Sequence, residues 1–408
     1  MDFNALLALM VQKNSFDLFI TAGRAPTMKI NDVLVEVTKT PLNKDQTLAL
    51  VLSIMEIRHK EEFHRTKECQ FAIGIPNIGR FRVSAFIQRD AAGMILHRIR
   101  HEIPDIDSLN LPEILKELVM KKSGLIMIAG ALGSGKSTSL NAMVQHRNQH
   151  SNGHIIVIDD PMEFMHSHAK CIVTQREVGI DTDSYDIALK NAALQSPDMV
   201  AIGEVNSADT IQAAFKIVDL GKLCLTTIHA NNAAQAFERI LSLYSDDLHH
   251  RVRLDLSLNL LAIVSQQLIY CESGQRYVVT EILLNLSDTL KDVLRRGEIH
   301  RFKELIASHR DSGMRSFDQS RCDLFQQQKI TYDDAIESSE HKNEFRLMVK
   351  ELLGDIDTHK TKDVETEKII EESPKKESNV LSLFDSPEIT LSDVSDKNID
   401  SGSIFTHR

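Results

Sequence analysis

The 408-residue sequence predicts an α/β fold, a parallel sheet covered by helices on both faces and preceded by a small α+β domain. Three observations predict it. Apolar runs at 124–129, 154–158, 199–202 and 223–228 alternate with helical patterns at about 137–149, 185–195 and 208–219. Gly130-Ala-Leu-Gly-Ser-Gly-Lys136-Ser137 joins the first run to the first helix and fits G-x-x-x-x-G-K-[ST], the phosphate-binding P-loop. The first hundred residues read differently, as short strands separated by turn residues.

Taken in order, residues 2–12 form an amphipathic helix, and strands follow at 17–21, 27–30 and 33–37. Gly23, Pro26 and the Asn31-Asp32 pair supply the turns between them. A helix at about 43–59 and strands at 70–74, 79–88 and 91–99 complete a domain over residues 1–99. The segment 100–112 is polar, carries Pro104 and Pro112, and reads as a linker. The P-loop domain then spans 113–353, with further helices at about 232–243, 248–269, 288–307 and 317–326. Residues 354–408 are rich in Glu, Lys, Ser and Asp and poor in large apolar side chains, the composition of a disordered tail. Its one apolar knot, Val380–Phe384, is more simply part of that tail than a docking peptide.

Composition narrows the class. The five cysteines, at 69, 171, 224, 271 and 322, form no C-x-x-C pair, so neither a zinc site nor a disulfide framework is expected and a reducing cytoplasm fits. No secretory signal opens the chain and no apolar run approaches the length of a membrane span. Any membrane association is therefore expected through a partner. Net charge is −11, of which 13 acidic against 7 basic residues place −6 in 355–408. With no basic stripe and no aromatic platform, nucleic acid is not an expected partner.

The P-loop chemistry rests on backbone. Gly130, Gly133, Ser134 and Gly135 turn N–H groups inward around a phosphate, and the helix N-terminus carrying Lys136, Ser137 and Thr138 adds positive potential. Lys136 would reach the β- and γ-phosphates of a nucleotide and Ser137 would hold Mg²⁺. Three further groups follow the other buried strands: Asp159-Asp160-Pro161-Met162-Glu163, Gly203-Glu204, and His229. Ligands collect at the carboxyl ends of such strands. One carboxylate there is more often a loop residue or a helix cap; three such ends beside a P-loop favour a site. A carboxylate can hold a metal-bound water or accept a proton, and a histidine can couple the γ-phosphate to a neighbouring segment.

These boxes resemble the Walker A, Asp box, Walker B and His box of the type II/type IV secretion ATPases. Within that family the chain is similar to the pilus retraction ATPases PilT and PilU over residues 1 to about 350. Ser15–Gly23 and Ile78–Phe86 contribute to the likeness, and Cys171–Ser184, His229–Ala233 and Leu256–Leu260 lean toward PilU. The resemblance implies a PAS-like N-terminal domain, a RecA-like ATPase domain and a cytoplasmic hexameric ring that binds ATP and Mg²⁺. It implies that Glu163 polarises the attacking water, Glu204 lies near Mg²⁺, and His229 is linked to the γ-phosphate. Arg82 and Arg98, or equally Arg80, are candidates for charge supplied across a subunit joint. A PilT-like ATPase and an inner-membrane pilus platform protein are the implied partners, and the implied work is removal of pilin from the fibre as an accessory motor.

The sequence also departs from the family pattern near the nucleotide. Asn206 and Ala208 stand in the stretch where arginine is common after the Walker B glutamate. Leu194 and Leu261 lie where further arginines are expected, Lys222 replaces the first histidine of the His box, and Asp159 stands for glutamate. Loss of several planar cations, which a lysine does not replace, points to weak or partner-dependent hydrolysis. The alternatives are a catalytically weak regulatory subunit and a primary retraction ATPase. A pilus-assembly or secretion ATPase fits less well, because those usually carry a longer N-terminal region and a four-cysteine zinc motif, and neither is found in this sequence.

Overall fold

The computed structural model describes residues 3–30, 33–271 and 274–353, which build two sheets. The first is antiparallel, with β1 (Asp17–Ile20), β2 (Thr27–Ile30), β3 (Val33–Glu36), β4 (Glu68–Ile75), β5 (Gly79–Gln88) and β6 (Ala91–Arg98) in the order β3-β2-β1-β6-β5-β4. Helices α1 (Phe3–Gln12), α2 (Lys44–Ser53) and α3 (Ile57–Thr66) add Leu6, Leu7, Met10, Val51 and Phe63 to the core on this sheet. Strand β5 sets the sidedness. Phe81, Val83 and Ala85 alternate into that core, so Arg80, Arg82 and Ser84 share the other face. Arg89 and Asp90, both at positive φ, make the two-residue turn into β6.

The second sheet runs β13-β12-β7-β11-β10-β8-β9. Its strands are β7 (Gly124–Gly130), β8 (Gly153–Asp159), β9 (Cys171–Glu177), β10 (Met199–Ile202), β11 (Leu223–Ile228), β12 (Leu260–Tyr270) and β13 (Arg276–Leu284). All adjacent pairs are parallel except β12–β13. Every residue of β7, β10 and β11 is buried, because helices cover both faces. Each large apolar side chain so buried contributes about 1.5–3 kcal/mol. The covering helices are α4 (Ile114–Val119), α5 (Lys136–His150), α6 (Tyr185–Ala192), α7 (Ala208–Asp219), α8 (Ala233–Leu241), α9 (His249–Asn259) and α10 (Asp288–Arg296). Four more follow: α11 (Phe302–Ser308), α12 (Phe317–Gln326), α13 (Tyr332–Glu337) and α14 (Lys342–Leu353).

Several sequence expectations are corrected. The helix expected over 43–59 is two helices, broken after Ser53 where Met55 turns into the core. The helix expected over 248–269 stops at Asn259, where Asn285 Nδ2 donates to the carbonyls of Ser257 and Leu260 (3.0 Å each). The rest becomes β12, buried between β7 and β13; an apolar run flanked by helix does not reveal its own period. Helix 288–307 is interrupted at Gly297, whose φ of 72° closes α10. Strands β9 and β13 are additions to the four parallel strands that the sequence predicts. Within 100–112, Ile106 and Leu111 are buried in the core of the second sheet. The Asn31-Asp32 turn and the tail 354–408, with Val380–Phe384, lie outside the described residues.

Candidate functional site

Parallel pairing brings the sequence-selected residues to one edge. The register pairs Ala129 with Ile228, Thr226 with Ile202, and Ile202 with Ile158. The P-loop after β7, His229 after β11, Glu204 after β10 and Asp159–Glu163 after β8 therefore stand side by side in that order.

The loop itself is built for close approach. Gly133 and Gly135 hold φ of 77° and 88°, values that side-chain-bearing residues rarely adopt. A Cβ on Gly130 would lie 2.2 Å from Ser134 Oγ and 2.8 Å from the Gln266 carbonyl oxygen. Helix α5 has Gly135 at its N-cap and no side-chain cap, whereas Ser184, Ser207 and Asn232 cap α6, α7 and α8. Its first N–H groups are left for an anion. Ser134 Oγ is buried without a hydrogen-bond partner, and Ser137 and Thr138 are partly exposed on the first turn. A phosphate fits this cradle. Among the described residues no group of three or more His, Cys, Asp or Glu could hold a metal ion.

Lys136 is 7% exposed, and its Nζ donates to the carbonyls of Gly130 and Ala131 (2.9 Å each). Nζ also lies 3.2 Å from His229 Nδ1, and His229 Nε2 lies 3.2 Å from Glu204 Oε1. An ammonium can only donate, so Nδ1 accepts and the imidazole proton sits on Nε2, facing the carboxylate. Burial pulls the Lys136 ammonium below its ordinary range, opposed by the charges of Glu204 and Glu163. Thr227 Oγ1 donates to the Gly203 carbonyl (2.5 Å) and Val205 N–H to the Thr227 carbonyl (2.9 Å), which fixes the chain on either side of Glu204.

Asp159 accepts the Asp160 N–H at 3.1 Å. Burial, then the neighbouring Glu163 charge, pushes its carboxyl up to about 7. A Cβ on Gly203, the residue after β10, would stand 2.1 Å from Asp159 Oδ1 and 2.9 Å from the Tyr185 hydroxyl, so a side chain there would have to displace them. Glu163 is exposed and makes no side-chain hydrogen bond among the described residues; its backbone places it. The Glu163 carbonyl accepts from Arg100 N–H (3.1 Å), and Met165 N–H donates to the Arg100 carbonyl (2.8 Å). Gln175 on β9 brackets the same segment, donating to the Phe164 carbonyl (2.9 Å) and accepting from His166 N–H (2.7 Å).

Arg82 and Arg98 are not at the P-loop. Arg82 Nη1 lies 3.9 Å from Oε1 of Glu177, itself 2% exposed, and Arg98 Nη1 lies 3.5 Å from Asn14 Oδ1. The departures from the family pattern are also placed. Leu194 is 83% exposed, Asn206 is exposed, Lys222 lies 3.7 Å from Asp198, and Leu261 packs over Gly124. Ala208 opens α7, and its carbonyl accepts from Tyr244 OH. Sequence reasoning passed over Arg100 altogether and used Gln175 only as part of a family-like stretch.

Known proteins resemble this chain in sequence and in fold. The Type II/IV secretion system protein family matches residues 3–379. The type IV pilus ATPase PilU of Pseudomonas aeruginosa is 50% identical over 86% of this chain and 92% of its own length. PilT of the same organism, a type IV pilus retraction ATPase, is 30% identical over 85% of this chain and 100% of its own. The crystal structure of the pilus retraction motor PilT with bound ADP superposes with a TM-score of 0.78 at 30% identity, covering 85% of this chain and all of that one.

Proposed function

Because the chain belongs to the type II/IV secretion ATPase family, in its PilT/PilU branch, we propose that it is a pilus retraction ATPase whose site is the edge just described. The observation that carries this reading is the line from Lys136 through His229 to Glu204 across three adjacent parallel strands. When bound, ATP with Mg²⁺ supplies the phosphoanhydride and the cation that neutralises its charge. The N–H groups of Gly133, Ser134 and Gly135 and the Lys136 ammonium hold the phosphates. Ser137 and Glu204 would hold Mg²⁺. Glu163 polarises the attacking water. His229 orients Lys136 and Glu204 together, so a change at the phosphates is felt at β10 and β11.

The wider assembly belongs to the same proposal. The chain works as a homohexameric ring with a PilT-like ATPase and the inner-membrane platform protein of the pilus, as an accessory motor for pilin removal. Arg82 and Arg98 would act in that ring only after leaving Glu177 and Asn14. Among the described residues no helix is long and apolar enough to cross a membrane. A second reading, a nucleotide-binding subunit that hydrolyses little alone, is favoured by exposed Leu194 and Asn206 at positions without a cation.

The deciding experiment is Mg²⁺-dependent ATP hydrolysis by the full chain, alone and mixed with a PilT-like ATPase, with Lys136→Ala as control. Turnover alone that the control abolishes supports the motor. Stimulation only in the mixture supports the accessory role. Silence in both with ATP still bound assigns the regulatory role, and failure to bind ATP overturns the site.

A further inference from the structure

Arg100 follows β6 at the point where the chain leaves the first sheet for the second. Its guanidinium carbon lies 4.2 Å from the ring centroid of Phe16, which precedes β1, and 5.7 Å from that of Phe164, the residue after Glu163. Its backbone is engaged as well, forming a parallel bridge with Phe164 through Glu163 and Met165. Phe16 is tied to the same place, since its carbonyl accepts from Arg98 N–H (2.9 Å). One residue thus links an aromatic ring at the start of β1 to the segment carrying Glu163.

The link continues toward the P-loop. Phe164 is 1% exposed, so its ring cannot move without repacking. Two residues on, His166 Nε2 lies 2.8 Å from Asn141 Oδ1, and Asn141 Nδ2 donates to the Ser137 carbonyl (2.8 Å). The path from Phe16 through Arg100, Phe164 and His166 to Ser137 is made of packed rings and short hydrogen bonds. Glu163 stands in it with no side-chain bond to place it.

We propose that Arg100 is a positioning residue: its stacking on Phe16 and Phe164 sets where Glu163 stands relative to the P-loop and makes that placement depend on the first domain. This rests on reading Glu163 as the carboxylate that polarises water. Arg100 is exposed, where each such contact is worth a few-fold in rate, so the two together account for about tenfold.

The test uses the full chain, with the PilT-like ATPase present if hydrolysis requires it. Arg100→Ala, Arg100→Lys, Phe16→Leu, the Arg100→Ala/Phe16→Leu pair and Glu163→Gln are compared for kcat, for nucleotide affinity, and for amide exchange at 163–166 in the nucleotide-free protein. Arg100→Ala should lower kcat about tenfold with affinity held within about twofold, and exchange at 163–166 should quicken. Arg100→Lys, which keeps the cation, should recover most of the rate, and the double variant should be no worse than either single one. The inference is overturned if Glu163→Gln abolishes hydrolysis while Arg100→Ala leaves kcat and exchange unchanged. It is equally overturned if Arg100→Ala loses affinity and rate together, or if lysine does not rescue. Undiminished hydrolysis by Glu163→Gln would instead sink the reading of Glu163. A silent wild type leaves the exchange measurement to decide.

Discussion

Lys136 Nζ and His229 Nδ1 stand 3.2 Å apart, so the cation of the P-loop is hydrogen-bonded to an imidazole two strand-ends from the Asp159–Glu163 segment. The pair spans β7 and β11, which are neighbours in the sheet. In this arrangement His229 accepts from the lysine on one side and faces Glu204 on the other.

His229→Ala should therefore separate chemistry from binding. It removes one acceptor from Lys136 but leaves the Gly130 and Ala131 carbonyls and the backbone cradle. A hydrogen bond to a charged group is worth about 1.5–3 kcal/mol, so kcat should fall about tenfold to a hundredfold. Affinity, followed with a fluorescent nucleotide, should change less than about threefold. Collapse of affinity instead would mean that His229 builds the loop.

Gly130→Ala tests the loop geometry. The new Cβ meets a movable atom, Ser134 Oγ, and an immovable one, the carbonyl of Gln266, whose strand pairs with β7 at this residue. Overpacking of this kind costs about 1–3 kcal/mol, and ATP binding should be lost with it. Adding Ser134→Gly removes only the first clash, so urea midpoints should recover less than half of the loss. Full recovery would show that the sheet yields at Gln266.

The contrast between β7 and β12 shows how much was legible. Gly124-Leu-Ile-Met-Ile-Ala129 announces a buried strand because nothing polar interrupts it and a glycine motif follows. In β12 the run is broken by Ser265-Gln266-Gln267 and preceded by a helix, so its pattern is compatible with either state. Gln266 is fully buried there, donating to Ser139 Oγ at 2.7 Å, a partner 127 residues away. The same reason hid Arg100 and Gln175. Lys136, Glu204 and His229 are visible because strand ends and motifs mark them, whereas a residue that acts by touching Phe16 or bracketing Phe164 carries no local signature. Arg82 was visible as a residue, but its contact with Glu177 was not.

Asp159 gives a pH dependence with a definite sign. Its folded value of about 7 lies above the unfolded value of about 3.9, so the folded state holds the proton more tightly. The stabilisation is fully present below about pH 4 and is lost as pH rises through about 7, on the order of 2–4 kcal/mol. Asp159→Asn should flatten stability across that window, read from urea midpoints at pH 4.5, 6 and 8. Glu163→Gln should narrow the window by lowering the Asp159 value, since Glu163 is the second cause of the shift. Parallel curves for wild type and Asp159→Asn would show an ordinary carboxyl.

Asn206→Arg tests whether the missing cation limits hydrolysis by the chain alone. Asn206 is exposed, two residues after Glu204, in the short loop between β10 and the Ser207-capped start of α7. An arginine fits there without displacing packed atoms, so stability should change by no more than about 0.5 kcal/mol. A guanidinium at the strand-end edge can reach charge that develops at the phosphates, where transition-state arginines are worth about 10³–10⁵ in rate. The substitution should raise turnover of the chain alone and reduce its stimulation by a PilT-like ATPase. Unchanged turnover in Asn206→Arg would place this position outside the mechanism and leave the exposed loop as no more than a connector between Glu204 and α7.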